Sequence, residues 1–466
     1  MSVRLVGILE ANALMVVFGL GLSPLLGFRP RALLAERLAL AYAVGFTATG
    51  ILAAELAAVR VPTDWWLLAA LAAVTLLLAR RRRGGATATP VAPARLDALT
   101  IVALIAVGAV LAKTATLLAV KPLLEFDGWA IWATRARALY EFGGATGAVF
   151  TDATYPALQH PLLLPGLEAL DGRFMGAFDG TLIHLQLLGF AVALAGGAWA
   201  LLRPVVAPPL LAATLLAIVL APAFSDQLAT NYADIPLAAF VALGVACLAA
   251  WLRTDERELL VGTALFLSAA ALTKNEGEFF ALAAYVAGAC VCGRGRLRPL
   301  AIAAAVTVAL DAPWRIWIAA HHVDVAEYSL GDLVDYGYLR EHSDRVGPAA
   351  HELAGQILRT QAWSYLVPLA LVGIVGALAL GGHRAGVFAA AWLVLAYSGL
   401  LVVYWISTNP VTSNLYNSSN RTVDSLVVAG ALLAPVLLAP ASAAERAEER
   451  GAGEREQGGE AVRGAP

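Results

Sequence analysis

The chain reads as an all-α, polytopic transmembrane helical bundle of about thirteen spans, with long external loops that carry amphipathic interface helices. Three observations predict this. First, 60% of the 466 residues are hydrophobic and only 14% are charged, against about 25% charged in an ordinary soluble domain. Second, Leu, Ala and Val gather in runs near twenty residues, the length that crosses about 30 Å of hydrocarbon. Third, the basic residues between those runs fall on alternate turns, and cytoplasmic loops are the ones enriched in Lys and Arg.

The apolar runs lie near 4–25, 36–58, 64–80, 98–119, 181–202, 205–223, 234–252, 259–273, 279–293, 299–318, 363–381, 386–406 and 423–440. Arg29, Arg31 and Arg37 separate the first two. Arg80 to Arg83, with Arg95, separate the third and fourth. Arg203 follows the fifth, Arg253 and Arg257 the seventh, Arg294, Arg296 and Arg298 the ninth, and His383 and Arg384 the eleventh. Under strict alternation every one of these turns shares a side, so the N-terminus is expected outside and the tail inside. Met1 to Gly27 lacks a clear cleavage site and reads as a retained span.

Three segments follow. Residues 1–97 are three N-terminal spans and a basic cytoplasmic linker, flexible from Gly84 to Pro93. Residues 98–440 are the main membrane unit. Residues 441–466, rich in Glu, Arg, Gly and Ala, form a solvated tail expected to be disordered. A net charge of −2 gives no case for nucleic-acid binding. Cys247, Cys290 and Cys292 suggest neither a disulfide framework nor a zinc site.

The external side holds long loops at 120–180 and 319–362 and shorter ones at 224–233, 274–278 and 407–422. Most of the acids, histidines and aromatics outside the basic turns sit there, so the working surface faces out. Glu125 and Asp127 stand just past a span. Trp129, Trp132, Ala136 and Leu139 follow at helical spacing, which predicts an interface helix with aromatic anchors. A carboxylate held there can serve as a general base on an acceptor hydroxyl, or simply cap the helix. In the segment from Tyr155 to Pro165, three prolines forbid a regular helix, so a rigid extended loop is expected. Its His160 contacts a substrate or caps a turn.

Asp234 begins a span with Pro236 in the first turn, where proline is tolerated. An acid at a span's end is costly to bury and often functional. Lys274 faces outward against the positive-inside trend, placed to hold a lipid phosphate; Glu276 and Glu278 could instead pair with it. Arg421 is a second outward cation, suited to bidentate phosphate contact. The outer loop with His321, His322, Asp324, Glu327, Asp332, Asp335, His342, Asp344, His351 and Glu352 lacks tight ligand spacing and reads as a solvated loop, so no metal is expected.

In order along one membrane face, Phe126-Asp127-Gly128-Trp129, Tyr155 with His160-Pro161-Leu162-Leu163-Leu164-Pro165, Tyr232-Ala233-Asp234-Ile235-Pro236, Thr273-Lys274 and an arginine before the last span resemble the GT-C superfamily. These are polytopic glycosyltransferases that use a polyprenyl-phosphate-linked sugar, and the protein mannosyltransferases and aminoarabinose transferases are among them. The resemblance covers roughly residues 98–440. It implies an inverting transfer in which Asp127 is the base or orients the acceptor and Asp234 supports the acceptor or the site. Lys274 and Arg421 would hold the phosphate leaving group, and Glu125, Tyr155, His160 and Glu276 would bind substrate.

The chain departs from the family in three ways. Three extra spans precede the acidic loop, a soluble C-terminal domain is absent, and there is no Asp-x-Asp. The last departure argues against a divalent metal, and no other cofactor is expected.

The reading is therefore a membrane glycosyltransferase moving a sugar from a polyprenyl-phosphate donor to a lipid, glycan or protein acceptor outside, in a bacterial plasma membrane. The rival is a multi-pass transporter or lipid-linked glycan flippase. Transporters usually place charge at the bilayer midplane, whereas the ionisable residues here collect at the outer interface. Glu10 and Asp311 are the exceptions.

Overall fold

Each apolar run of the sequence is helical in the computed structural model, which describes residues 3–82, 90–93, 96–323, 330–379 and 383–440. In chain order come α1 (Val3–Leu26), α2 (Leu34–Ala58), α3 (Trp65–Arg82) and α4 (Ala98–Leu118). A π-helix, Gly128–Ala133, runs into α5 (Thr134–Phe142), followed by α6 (Ala148–Thr151), α7 (Leu163–Met175), α8 (Leu185–Leu202), α9 (Pro208–Leu220) and α10 (Pro222–Leu228). Next are α11 (Asp234–Thr254), α12 (Arg257–Thr273), α13 (Glu276–Val291) and α14 (Arg294–Ala320). The chain ends in α15 (Tyr336–Glu341), α16 (Val346–Ile357), α17 (Thr360–Trp363), α18 (Leu366–Ala379), α19 (His383–Trp405), α20 (Val411–Thr422) and α21 (Asp424–Leu437). Among the described residues there is no strand, only an isolated bridge between Arg31 and Val91.

Eight helical stretches are long and apolar enough to cross a membrane, or nine if the bent pair α9–α10 is one span. Four further predicted spans fall short. Three arginines close α3, and α12, α13 and α18 have 17, 16 and 14 residues.

α11 is the axis of the bundle. It packs against α8, α12, α13, α19 and α21, and every one of its residues from Asp234 to Arg253 is buried. Its composition explains this, since small and branched apolar residues cover its whole circumference and no face is left for solvent. The consequence for function is that its first residue, Asp234, is delivered to the middle of one end of the molecule. By contrast α4 is apolar yet little covered by protein, as a helix facing hydrocarbon should be.

The first three helices are tied into this bundle. α2 packs on α7, α8, α12 and α14 as well as on α1. The α1–α2 crossing is very close: a Cβ on Gly19 would lie 1.8 Å from the Ala41 carbonyl oxygen, and one on Gly45 1.9 Å from that of Met15. Small residues let membrane helices approach to this degree.

The basic turns meet at the opposite end from Asp234. Buried Arg31 and half-buried Arg29 pair with Glu258 at 3.3 and 3.0 Å, and Arg203 pairs with Glu36 at 2.6 Å. Arg253 donates to the carbonyls of Val436, Ala439 and Pro440 at the end of α21. Several of these arginines are therefore internal counter-ions. Arg83, Arg95, the stretch 84–89 of the linker and the tail 441–466 lie outside the described residues.

Two expectations need correction. From Leu163 the chain is not an extended loop but the helix α7, buried from Leu163 to Gly172. Pro165 sits in its first turn, where the missing N–H has no intrahelical partner to lose. The loop 319–362 is also mostly helical: over its described residues it forms α15, α16 and two short 3₁₀ turns, with α16 packed on α19 and α20.

Candidate active site

Four distant segments converge at the tip of α11. Asp127 opens the π-helix, Asp234 opens α11, Lys274 ends α12 and Arg421 lies in the last turn of α20. Lys274 Nζ is 2.9 Å from Asp234 Oδ1 and 3.0 Å from Glu276 Oε1. Arg421 Nη2 is 2.5 Å from Asp127 Oδ2, and its Nη1 is 3.5 Å from Asp234 Oδ2. The same guanidinium lies 4.5 Å over the Tyr232 ring. Asp234 thus holds one cation on each carboxylate oxygen.

Asp127 makes no side-chain cap to its helix, so the cap alternative fails here. Burial works against the Lys274 charge, but Asp234 and Glu276 outweigh it and hold the ammonium charged, with a pKa raised above the ordinary lysine value.

These groups line one cavity of about 320 Å³, together with His160, Phe126, Trp132, Tyr404 and a polar strip from α20. Local structure positions each of them. The π-helix is a rare form that is frequent at functional sites, and here it turns Trp132 inward. Trp132 is buried and stacks on the His160 ring at 5.4 Å and 19°, so it is not the surface anchor its spacing suggested. Buried Arg135 ties down the proline-rich turn by donating to the carbonyls of Pro156, Ala157 and His160. Gly128 has no room for a side chain, because a Cβ there would lie 2.5 Å from the Thr230 carbonyl oxygen. The two acid-bearing segments are therefore in direct backbone contact.

Burial, reinforced by Lys274, Arg135, Arg315 and Arg421, holds the His160 pKa well below its usual value. The ring is neutral in the fold, while the unfolded chain takes a proton as pH falls through about 6.5. This contribution to stability is therefore complete above about pH 6.5 and is lost progressively below it, by up to about 1.4 kcal/mol per pH unit. Thermal unfolding in detergent between pH 5 and 8 should show His160→Asn flattening the acid limb of the native profile. Parallel profiles for the two proteins would remove this account.

Six of the eight sequence-predicted residues line the cavity: Asp127, Asp234, Lys274, Arg421, His160 and Glu276. Glu125 does not. Its Oε1 binds Lys121 Nζ at 2.5 Å, in the segment leading away from the site. Tyr155 does not line it either and packs against the apolar core. Glu278 leaves Lys274 to Glu276 and pairs with Arg315, which also holds Asp311 at 2.9 Å.

Sequence reading missed three contributors. One is Asp424, buried in the first turn of the last apolar helix and within electrostatic reach of Asp234, Lys274 and Arg421. Its position at the mouth of a span was the available signal. The others are Tyr404 and the α20 strip, whose Asn417-Ser418-Ser419 and Asn420-Arg421-Thr422 triplets match glycosylation acceptors but say nothing of a cavity wall. Compared with family models, curated proteins and solved structures, the chain matches none of them.

Proposed function

We propose that the protein is a polytopic glycosyltransferase of GT-C-like architecture. It moves a sugar from a polyprenyl-phosphate donor to a lipid, glycan or protein acceptor on the outer face of a bacterial plasma membrane, with inversion. The observation that carries the reading is the convergence of two carboxylates and two cations on one cavity at the end of the bundle opposite the basic turns.

The chemistry follows from charge. Asp127 takes the proton of an acceptor hydroxyl as its oxygen attacks the anomeric carbon. The C–O bond to phosphate breaks on the far side, and the electron pair leaves on the phosphate oxygen. Lys274 and Arg421 stabilise that developing anion, the kind of preorganised electrostatic contribution that dominates many enzymes. Asp234 positions both cations. No metal or other cofactor is required by these steps.

A second feature supports a lipid-linked donor. An apolar groove of about 330 Å³ runs between α18, α19 and α21, bordered by Tyr397, Leu426 and Val427. On α19 and α21 it begins only one to two helical turns from the cavity residues Tyr404 and Thr422, so a prenyl chain there keeps its phosphate at the cations. The proposal includes thirteen spans, with the N-terminus outside and the C-terminus in the cytoplasm.

The test is donor use by purified variants. Lys274→Ala and Arg421→Ala are each expected to weaken donor use by about tenfold to a hundredfold, the worth of a charge-assisted contact to phosphate, with the protein still folded. Normal donor kinetics in both variants would remove the phosphate site.

The transporter or flippase reading retains two specific supports. The pair α9–α10 is broken by 60° at Pro222, and Asp171 and Asp424 are fully buried with no hydrogen-bond donor among the described residues. Broken helices and buried acids are typical of transport sites. Movement of a lipid-linked sugar across a vesicle bilayer, without transfer, would decide for it.

A further inference from the structure

The polar strip on α20 has no role in the chemistry just described, yet it occupies much of the cavity wall. Ser413, Asn414, Asn417 and Ser418 all line the cavity, and so does Arg421 at the end of the same helix. Their spacing places them in one stripe along the helix. The opposite face is spent on structure: Leu415 and Ser419 are buried, and Ser419 donates to Glu352 at 3.4 Å. The stripe is therefore turned to the cavity by the packing of α20.

Its chemistry is specific. Apart from Arg421, the α20 residues of the cavity wall carry hydroxyls and amides but no charge. Part of the set is fixed in place. Tyr404 Oη bonds Ser418 Oγ at 2.8 Å and Thr422 Oγ1 at 3.1 Å, and Asn414 Nδ2 donates to Ser407 Oγ at 3.1 Å. The side chains of Ser413 and Asn417 engage no hydrogen bond among the described residues and stay exposed to the cavity.

Distance along the helix gives the order. At about 1.5 Å rise per residue, Asn417 and Ser418 lie about 5–6 Å beyond Arg421, and Ser413 and Asn414 about 10–12 Å beyond it. A group attached directly to a phosphate held at Arg421 thus meets paired donors and acceptors over one and then two helical turns. The exposed Phe126 ring adds an apolar surface to the same cavity.

We infer that the α20 stripe is a subsite for an uncharged sugar, a neutral hexose or pentose joined to the phosphate, with Asn417 and Ser413 as its reading residues. This rests on the phosphate site proposed above. Amide and hydroxyl groups match sugar hydroxyls, each both donor and acceptor. The strip supplies no counter-charge for an amino sugar or a uronic acid.

The experiment measures binding of four probes to the purified full-length protein in nanodiscs. They are polyprenyl phosphate alone and the same lipid carrying a neutral hexose, an amino sugar or a uronic acid. The neutral conjugate is expected to bind at least tenfold more tightly than the bare phosphate and than either charged conjugate. Asn417→Ala combined with Ser413→Ala is expected to cut that preference by about fivefold to tenfold, the loss of one or two neutral hydrogen bonds. Lys274→Ala should instead weaken all four probes alike.

Equal binding of the bare and neutral-sugar lipids would overturn the subsite while leaving the phosphate site standing. So would an unchanged preference in the double variant, and a preference for a charged sugar would overturn its neutral character. Binding of none of the four would overturn the phosphate site and the subsite with it.

Discussion

Replacing Asp127 with Asn is expected to lower sugar transfer by about a hundredfold to ten-thousandfold, the range a positioned general base supplies. Asn keeps the size and most of the hydrogen bonding of the side chain but cannot accept the proton. The donor site should survive the change. Arg421 loses its 2.5 Å partner, yet it keeps Asp234 at 3.5 Å and the Tyr232 ring at 4.5 Å. Donor affinity is therefore expected to stay near native, or to tighten, because one anion no longer competes for the guanidinium. A fall in turnover without a fall in donor affinity is the signature of an interaction made only in the transition state. The measurement is transfer by purified protein with a panel of polyprenyl-phosphate sugars, alongside donor binding. Equal turnover in the variant would move the proton-accepting role to Asp234. Loss of donor binding together with turnover would make Asp127 a structural counter-ion of Arg421 instead. Native protein inactive with every donor would favour the transport reading.

That such a residue was visible in the sequence at all follows from the membrane. A carboxylate just past an apolar run is conspicuous because so few charges are present. The helices were legible for the same reason, since runs of Leu, Ala and Val near twenty residues have few alternatives in hydrocarbon. What the sequence could not separate was Glu125 from Asp127. Glu125 precedes the helical turn and pairs with Lys121, so only Asp127 faces the cavity, its register set by the π-helix and by the close contact of Gly128 with Thr230.

Long-range pairing was equally out of reach. Nothing local tells Asp127 that its partner is Arg421, because the bond depends on α20 folding back over the tip of α11. By its sequence the α20 stretch reads as a loop. Its polar residues have modest helix propensity, but it contains no Gly or Pro, and packing of Leu415 and Ser419 decides the outcome. At Pro165 the rule against proline in helices reaches one turn too far, because the first turn of α7, a helix buried from Leu163 to Gly172, tolerates it.

The largest effect on stability is expected at Asp234 rather than at any apolar core position. Its side chain is 4% exposed and faces two cations whose side chains are only 11% and 14% exposed. Asp234→Ala deletes the negative charge between them, leaving Lys274 with Glu276 and Arg421 with Asp127, and the two cations repelling each other across the gap. Removing one partner of a buried ion pair typically costs about 3–5 kcal/mol, mostly the cost of a charge left without its counter-charge. Thermal unfolding in detergent should show this as a clear drop in midpoint. Asp234→Ala with Lys274→Met is expected to recover part of the loss, because it removes one of the two mutually repelling cations as well. The two changes should therefore be strongly non-additive.

The same pair of variants separates structure from catalysis. The double variant regains stability but lacks a phosphate-binding cation, so its donor use should remain at least as poor as that of Lys274→Ala alone. Recovery of both stability and donor use would show that Lys274 serves only to balance Asp234. An additive loss of stability would show instead that the two side chains do not depend on each other in the folded protein.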